Sequence, residues 1–216
     1  MKRREFGQYC GLARALELVG ERWALLIVRD LSVRPRRYTD LLEGLPGIPT
    51  NVLSTRLKEL EQAGIVERQV APAPERGVRY TLTAAGHELE PAVLALGRWG
   101  ATQLGDPRPG EIVTPESVTM TLRAVFDEAA AAGLTASWEI RAPGMVVYAV
   151  VTDGKLDAGP GPAPGAADLV LTVPVVDELP SYRNLMQAIK CGLVELAGRR
   201  ELLDTFTRVF PPPRYA

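Results

Sequence analysis

Apolar positions in the first half of the chain fall into helical registers separated by short polar connections. Leu12, Ala15, Leu16 and Val19 recur at the spacing of one helix face, which predicts a helix over residues 11–19. Residues 21–31 predict a second, more fully buried helix, because 23–28 is almost all apolar. After a basic connection at 34–38, Thr39 is the expected N-cap of a third helix that turns Leu41, Leu42 and Leu45 inward. Pro46-Gly47 makes a turn, and residues 48–62 predict a short helix with two unlike sides. Val52, Leu53, Leu57 and Leu60 share its apolar face, while Asn51, Thr55, Lys58 and Gln62 project from the other, flanked by Thr50 and Ser54. Gly64 stops that helix. Residues 65–70 and 78–82 then read as strands joined by an exposed loop, and Thr83 caps a long helix running to about residue 104.

The pattern changes in the second half. An amphipathic helix is expected over 116–133, then strict alternation at 135–141 that buries Ala136, Trp138 and Ile140. The nearly continuous apolar run 145–151 reads as a central strand, and 167–173 as another, with 159–165 as a Gly-Pro-Ala loop between them. Helices at 181–190 and 199–209 flank a short strand at 193–196. The expected class is α+β: a winged helix-turn-helix domain over 1–104, a linker over 105–115 and, over 116–216, an α+β domain with helices on an antiparallel sheet.

Charge adds modest support for this division. The formal net charge is −1, yet residues 1–109 sum to +3 and the remainder to −4. Such polarity suits one half that meets phosphate and one that does not. The start of the chain lacks the apolar run of a signal peptide, and no run is long enough to span a bilayer. A soluble, cytoplasmic protein without a membrane partner is expected. Cys10 and Cys191 are too far apart to suggest a disulfide framework or metal-ligand spacing. His87 is the single histidine and has no identifiable acid or base partner, and no glycine-rich phosphate loop follows a strand. Neither an enzyme nor a cofactor or metal is expected.

Short and cationic side chains on the outer side of helix 48–62 are the types that meet base edges and phosphates. Double-stranded DNA is therefore the expected partner. The candidate contacts are Thr50, Asn51, Ser54, Thr55 and Lys58, with Arg56 either clamping a phosphate or pairing with a neighbouring helix. Arg36 and Arg37 stand where phosphates approach a helix-turn-helix, and Arg76 at the wing tip suits a minor groove. Arg68 and Arg79 flank the wing as weaker phosphate candidates, and Tyr38 reads more readily as a core aromatic. Cys10, just before a helix, is a candidate redox thiol, with a small buried residue as the alternative. Trp138, Val146, Tyr148, Val150, Leu185, Met186, Ile189, Leu193 and Phe206 are equally the wall of an apolar tunnel or the core of a closed domain.

With these residues laid out, the first half resembles the HxlR-type winged-helix transcription regulators. The matching residues are Cys10, 19–27 (VGERWALLI), Arg37-Tyr38, 45–48 (LPGI), 56–61 (RLKELE), 64–66 (GIV), 80–83 (YTLT), Gly86 and Trp99-Gly100. The resemblance implies a homodimer that binds an operator and controls transcription. Pro49 departs from it, standing where many members have a serine that caps the reading helix, so Thr50 becomes the alternative cap. Residues 167–172 (ADLVLT) and 192–198 (GLVELAG) resemble a sterol-carrier-protein-like domain. That likeness implies a small hydrophobic effector, or a structural role alone. The expected function is a homodimeric, sequence-specific DNA-binding regulator modulated by such a ligand in the second domain. The alternatives are a thiol-based redox regulator acting through Cys10 with a structural second domain, and a lipid carrier whose winged domain binds protein.

Overall fold

The computed structural model describes residues 5–70, 77–104, 108, 110–173, 188–189 and 191–211. They divide into two compact units, Met1–Val93 and Leu94–Ala216.

In the first unit, α1 (Gly11–Val19), α2 (Ala24–Val33), α3 (Tyr38–Gly44) and α4 (Thr50–Gln62) precede the hairpin β1 (Val66–Val70) and β2 (Val78–Leu82). Ile27, Val28, Leu41, Leu53, Leu57 and Leu60 meet in one core, each at most 1% exposed except where Leu31 and Leu82 close its margins. At about 1.5–3 kcal/mol per fully buried aliphatic side chain, this cluster dominates the attraction that holds α4 down. Gly64 ends α4 at φ +71, a region that costs glycine little, and Ile65 N–H returns to the Leu60 carbonyl at 3.0 Å. Ile65 and Val66 then enter the core, which fixes the register of β1 against β2 from Val66↔Leu82 to Val70↔Val78.

Three expectations change here. The second helix begins at Ala24 rather than 21, because Trp23 adopts a left-handed conformation, φ 80. The third starts at Tyr38, so Thr39 is not its cap; the Asp40 carboxylate instead accepts from Arg37 N–H at 3.0 Å. The helix expected over 83–104 is two: α5 (Ala84–His87) and α6 (Glu90–Ala101). Pro91 explains the break, since it lacks the N–H that a continuous helix would use and disfavours a helical residue before it. Thr83 caps α5 as expected, its Oγ1 accepting from Gly86 N–H at 3.1 Å.

The second unit builds a five-stranded sheet in the order β5-β4-β3-β6-β7. Its strands are β3 (Ala136–Ala142), β4 (Met145–Thr152), β5 (Lys155–Pro160), β6 (Leu169–Thr172) and β7 (Glu195–Gly198). The α+β class holds, but the sheet is mixed, because β6 pairs parallel to β3. After β5, residues 161–168 return to the opposite end of the sheet before β6 starts, so β6 runs the same way as β3. Ala163 N–H donates to Glu139 on that crossing, and Asp168 holds its far end, accepting from the Ser137 N–H and hydroxyl at 2.9 Å each. Burial pushes the Asp168 carboxyl up, but the Ser137 donors and Arg199 outweigh it and hold it below the usual carboxylate range. Strand β5 was not expected at all. The helix expected over 116–133 is α7 (Pro115–Val125), and α8 (Leu202–Val209) closes the same sheet face.

Candidate nucleic-acid interface

Helix α4 presents the two-sided surface that its sequence describes. Leu53, Leu57 and Leu60 are at most 1% exposed, while Thr50, Asn51, Ser54 and Lys58 face outward and Thr55 and Arg56 are half-buried. Pro49 occupies the N-cap position and no side chain caps the helix, so Thr50 does not take over that role. The first-turn N–H groups consequently gain no acceptor from the N-cap side chain.

Two hydroxyls on this surface are already engaged. Thr55 Oγ1 donates to the Asn51 carbonyl at 2.8 Å. Tyr38, the first residue of α3, donates its phenol to the Thr50 carbonyl at 2.7 Å and lies 3.2 Å from Ser54 Oγ. Tyr38 is thus half-buried, packed against the first core and polar at its tip, rather than a plain core aromatic. The sequence carried a faint signal for this: a tyrosine in a helix that precedes hydroxyl residues needs a partner for its tip when its ring packs inward.

The basic candidates separate. Arg37 is exposed and Arg36 is buried, 8% exposed. Arg36 pairs its backbone with Tyr80 in both directions, and its guanidinium donates to the Asp40 carbonyl at 2.9 Å. It also lies beside the buried Asp30 near Gly44, where an added Cβ would meet Asp30 Oδ2 at 3.2 Å and Arg36 Nη2 at 3.7 Å. The phosphate role expected for Arg36 is corrected on this geometry, since the side chain is committed to the interior. Arg56 pairs within the protein, with Glu59 on α4 itself and, at 3.4 Å, with Glu21 in the turn between α1 and α2 rather than on a neighbouring helix. Arg68 pairs with Glu61 at 2.7 Å and stacks 5.6 Å from the Tyr80 ring centroid, so it braces the wing against α4. Arg76 lies outside the described residues.

Cys10 is exposed immediately before α1. The backbone N–H groups of Ala13 and Leu12 hold its thiol below the ordinary cysteine value, against a smaller opposing effect of desolvation. The bland expectation of a buried cysteine does not hold.

The expected apolar wall in the second unit is not one surface. Trp138 is fully buried, with its ring 5.9 Å from both Phe206 and Phe210, and its indole N–H donates to the Leu202 carbonyl. Trp138 pairs with Ala149, so Val146, Tyr148 and Val150, one residue out of phase, point to the opposite sheet face and are half-buried. Leu193 is 57% exposed and Ile189 is half-buried against the core. Leu185 and Met186 lie outside the described residues. Among the described residues no cluster of His, Cys, Asp and Glu fits a metal ion, and no helix is long and apolar enough to cross a membrane.

Comparison with known proteins bears on the first unit. Residues 18–107 match the family described as HxlR-like helix-turn-helix. An uncharacterized HTH-type transcriptional regulator of Synechocystis sp. is 37% identical over 100 residues, covering 46% of this chain and 74% of that protein. The HTH-type transcriptional regulator YodB of Bacillus subtilis is 41% identical over 102 residues, covering 47% of this chain and 88% of YodB. A structure described as quinone-bound YodB from the same bacterium is 38% identical, covers 41% of this chain and 93% of that one, and has a TM-score of 0.36.

Proposed function

Since the chain belongs to the HxlR-like helix-turn-helix family of transcriptional regulators through its first hundred or so residues, we propose that it works as a homodimer reading a specific operator. The observation that carries this is the division of α4, whose leucines are sealed in the core while Asn51, Ser54 and Lys58 are exposed at the surface. Asn51 has the donor and acceptor needed to grip an adenine edge, and Lys58 suits a phosphate. Arg37, exposed next to Tyr38, adds positive charge near this face. Two reading helices in a dimer address successive major grooves about 34 Å apart.

The dimer reading is supported by apolar side chains with no cover in the single chain. Leu12 and Leu16 on α1 are 69% and 42% exposed, and Leu96 and Trp99 on α6 are 50% and 64% exposed. The test separates specific from general contacts. Asn51→Ala costs about 1–3 kcal/mol on the preferred duplex and almost nothing on random DNA. Lys58→Ala weakens both alike and lowers the salt slope by about one unit. Equal losses from both variants on every duplex would refute the assignment of these roles.

A second reading rests on Cys10. An exposed thiol with a lowered pKa has more of the reactive thiolate at neutral pH, which suits a regulator released by oxidants or electrophiles. In this reading the second domain serves only as structure. Cys10→Ser then abolishes diamide-induced release from DNA; release that persists unchanged would eliminate the cysteine as trigger. A hydrophobic effector in the second domain draws less support, because Trp138 and Phe206 pack against each other in the interior and Val146, Tyr148 and Val150 face the other side of the sheet.

A further inference from the structure

The Ser54 and Thr55 hydroxyl protons on the outer face of α4 are already spent inside the protein, and this limits what those two hydroxyls can read. Each hydroxyl has one proton and two lone pairs. The Thr50 carbonyl can only accept, so the 2.7 Å contact consumes the Tyr38 proton. The 3.2 Å contact between Tyr38 Oη and Ser54 Oγ must then be made by the Ser54 proton. Thr55 spends its own proton on the Asn51 carbonyl. Ser54 and Thr55 therefore turn lone pairs outward, and no donor.

We infer that Tyr38 is a specificity-determining residue that makes Ser54 an obligate acceptor, so that Ser54 selects bases carrying an exocyclic amine. The inference rests on the DNA-binding reading above. In the major groove the donors are adenine N6 and cytosine N4, whereas guanine and thymine offer acceptors on the same edge. An acceptor-only hydroxyl pairs with adenine or cytosine on the strand it faces and is repelled by guanine O6, thymine O4 and phosphate oxygens. Thr55 obeys the same rule at its own position. Lys58, a pure donor, suits a phosphate and takes no part in this selection. Tyr38 touches no base in this scheme and acts through Ser54.

Selection from a randomised duplex pool tests this with wild type, Ser54→Ala and Tyr38→Phe run in parallel. The position read by Ser54 is the one whose preference Ser54→Ala flattens. Wild type should favour adenine or cytosine there by about tenfold over guanine or thymine. Tyr38→Phe returns a proton to Ser54, so the preference at that position falls below about threefold while other positions keep theirs. A merely structural role for Tyr38 would lower affinity across all positions instead. Should Tyr38→Phe not fold, the preferred duplex with the amine-free analogue of the selected base decides. Wild type loses about tenfold on it and Ser54→Ala loses nothing further. Guanine or thymine at that position, no position flattened by Ser54→Ala, or a Tyr38→Phe profile equal to wild type would each overturn the inference alone. Failure to enrich any duplex would overturn the DNA-binding reading, and the inference with it.

Discussion

Arg36 and Arg37 are neighbours in sequence with opposite fates. Arg37 faces water, where its charge is available to a phosphate, and Arg36 is drawn under α3 beside Asp30. Removing Arg36 takes a guanidinium from beside the buried Asp30, which keeps Arg29 at 2.7 Å, and opens a hole under α3, so Arg36→Ala should lower the unfolding free energy by about 3 kcal/mol. Urea denaturation checks it. Arg37→Ala should leave stability within about 0.5 kcal/mol and reduce duplex affinity instead. A stable Arg36→Ala protein with weakened DNA binding would return Arg36 to the surface role its sequence position suggested. That role was legible and wrong for a physical reason: a run of arginines gives their charge but not their direction, which here is set by the backbone pairing of Arg36 with Tyr80. The engaged tip of Tyr38 was hidden similarly, since its partners Thr50 and Ser54 come near only when α3 and α4 pack.

At the scale of elements, α4 was the most readable because it must satisfy a core and a solvent face at once, and its leucine spacing records both. Short helices and edge strands record less. The α5–α6 break is written only in Pro91, and β5 has no run of β-branched residues to announce it. Parallel pairing of β6 with β3 was invisible too, because the alternation in residues 169–172 is the same whichever way a neighbour runs. Close packing can be tested at Gly86 in α5. A Cβ there would lie 2.2 Å from the Ile65 carbonyl oxygen, a backbone atom that cannot swing aside. Gly86→Ala should cost about 1–3 kcal/mol by thermal or urea unfolding, against the small gain alanine usually brings to a helix. A neutral or stabilising result would show that the hairpin and α5 are more loosely joined than described.

For the whole molecule, the charge division runs with the fold: the basic half carries α4, and the acidic half carries the aromatic cluster of Trp138, Phe206 and Phe210. The proposed self-association rests on the apolar surface that a single chain leaves in water. Trp99, 64% exposed on α6, is a direct probe. Trp99→Glu should convert the dimer to a monomer in analytical ultracentrifugation. Loss of the linked second site should lower duplex affinity by about 10²-fold or more. A variant that stays dimeric would move the interface elsewhere.

On the proposed function, α4 and the exposed Arg37 beside it meet duplex bases and phosphate. Fluorescence anisotropy of a labelled duplex, titrated across a range of salt concentrations, tests it most directly. A dimer neutralising about six phosphates should give a slope of log affinity against log salt near −5. Binding that ignores salt, or an absence of duplex binding at low salt, would contradict the account.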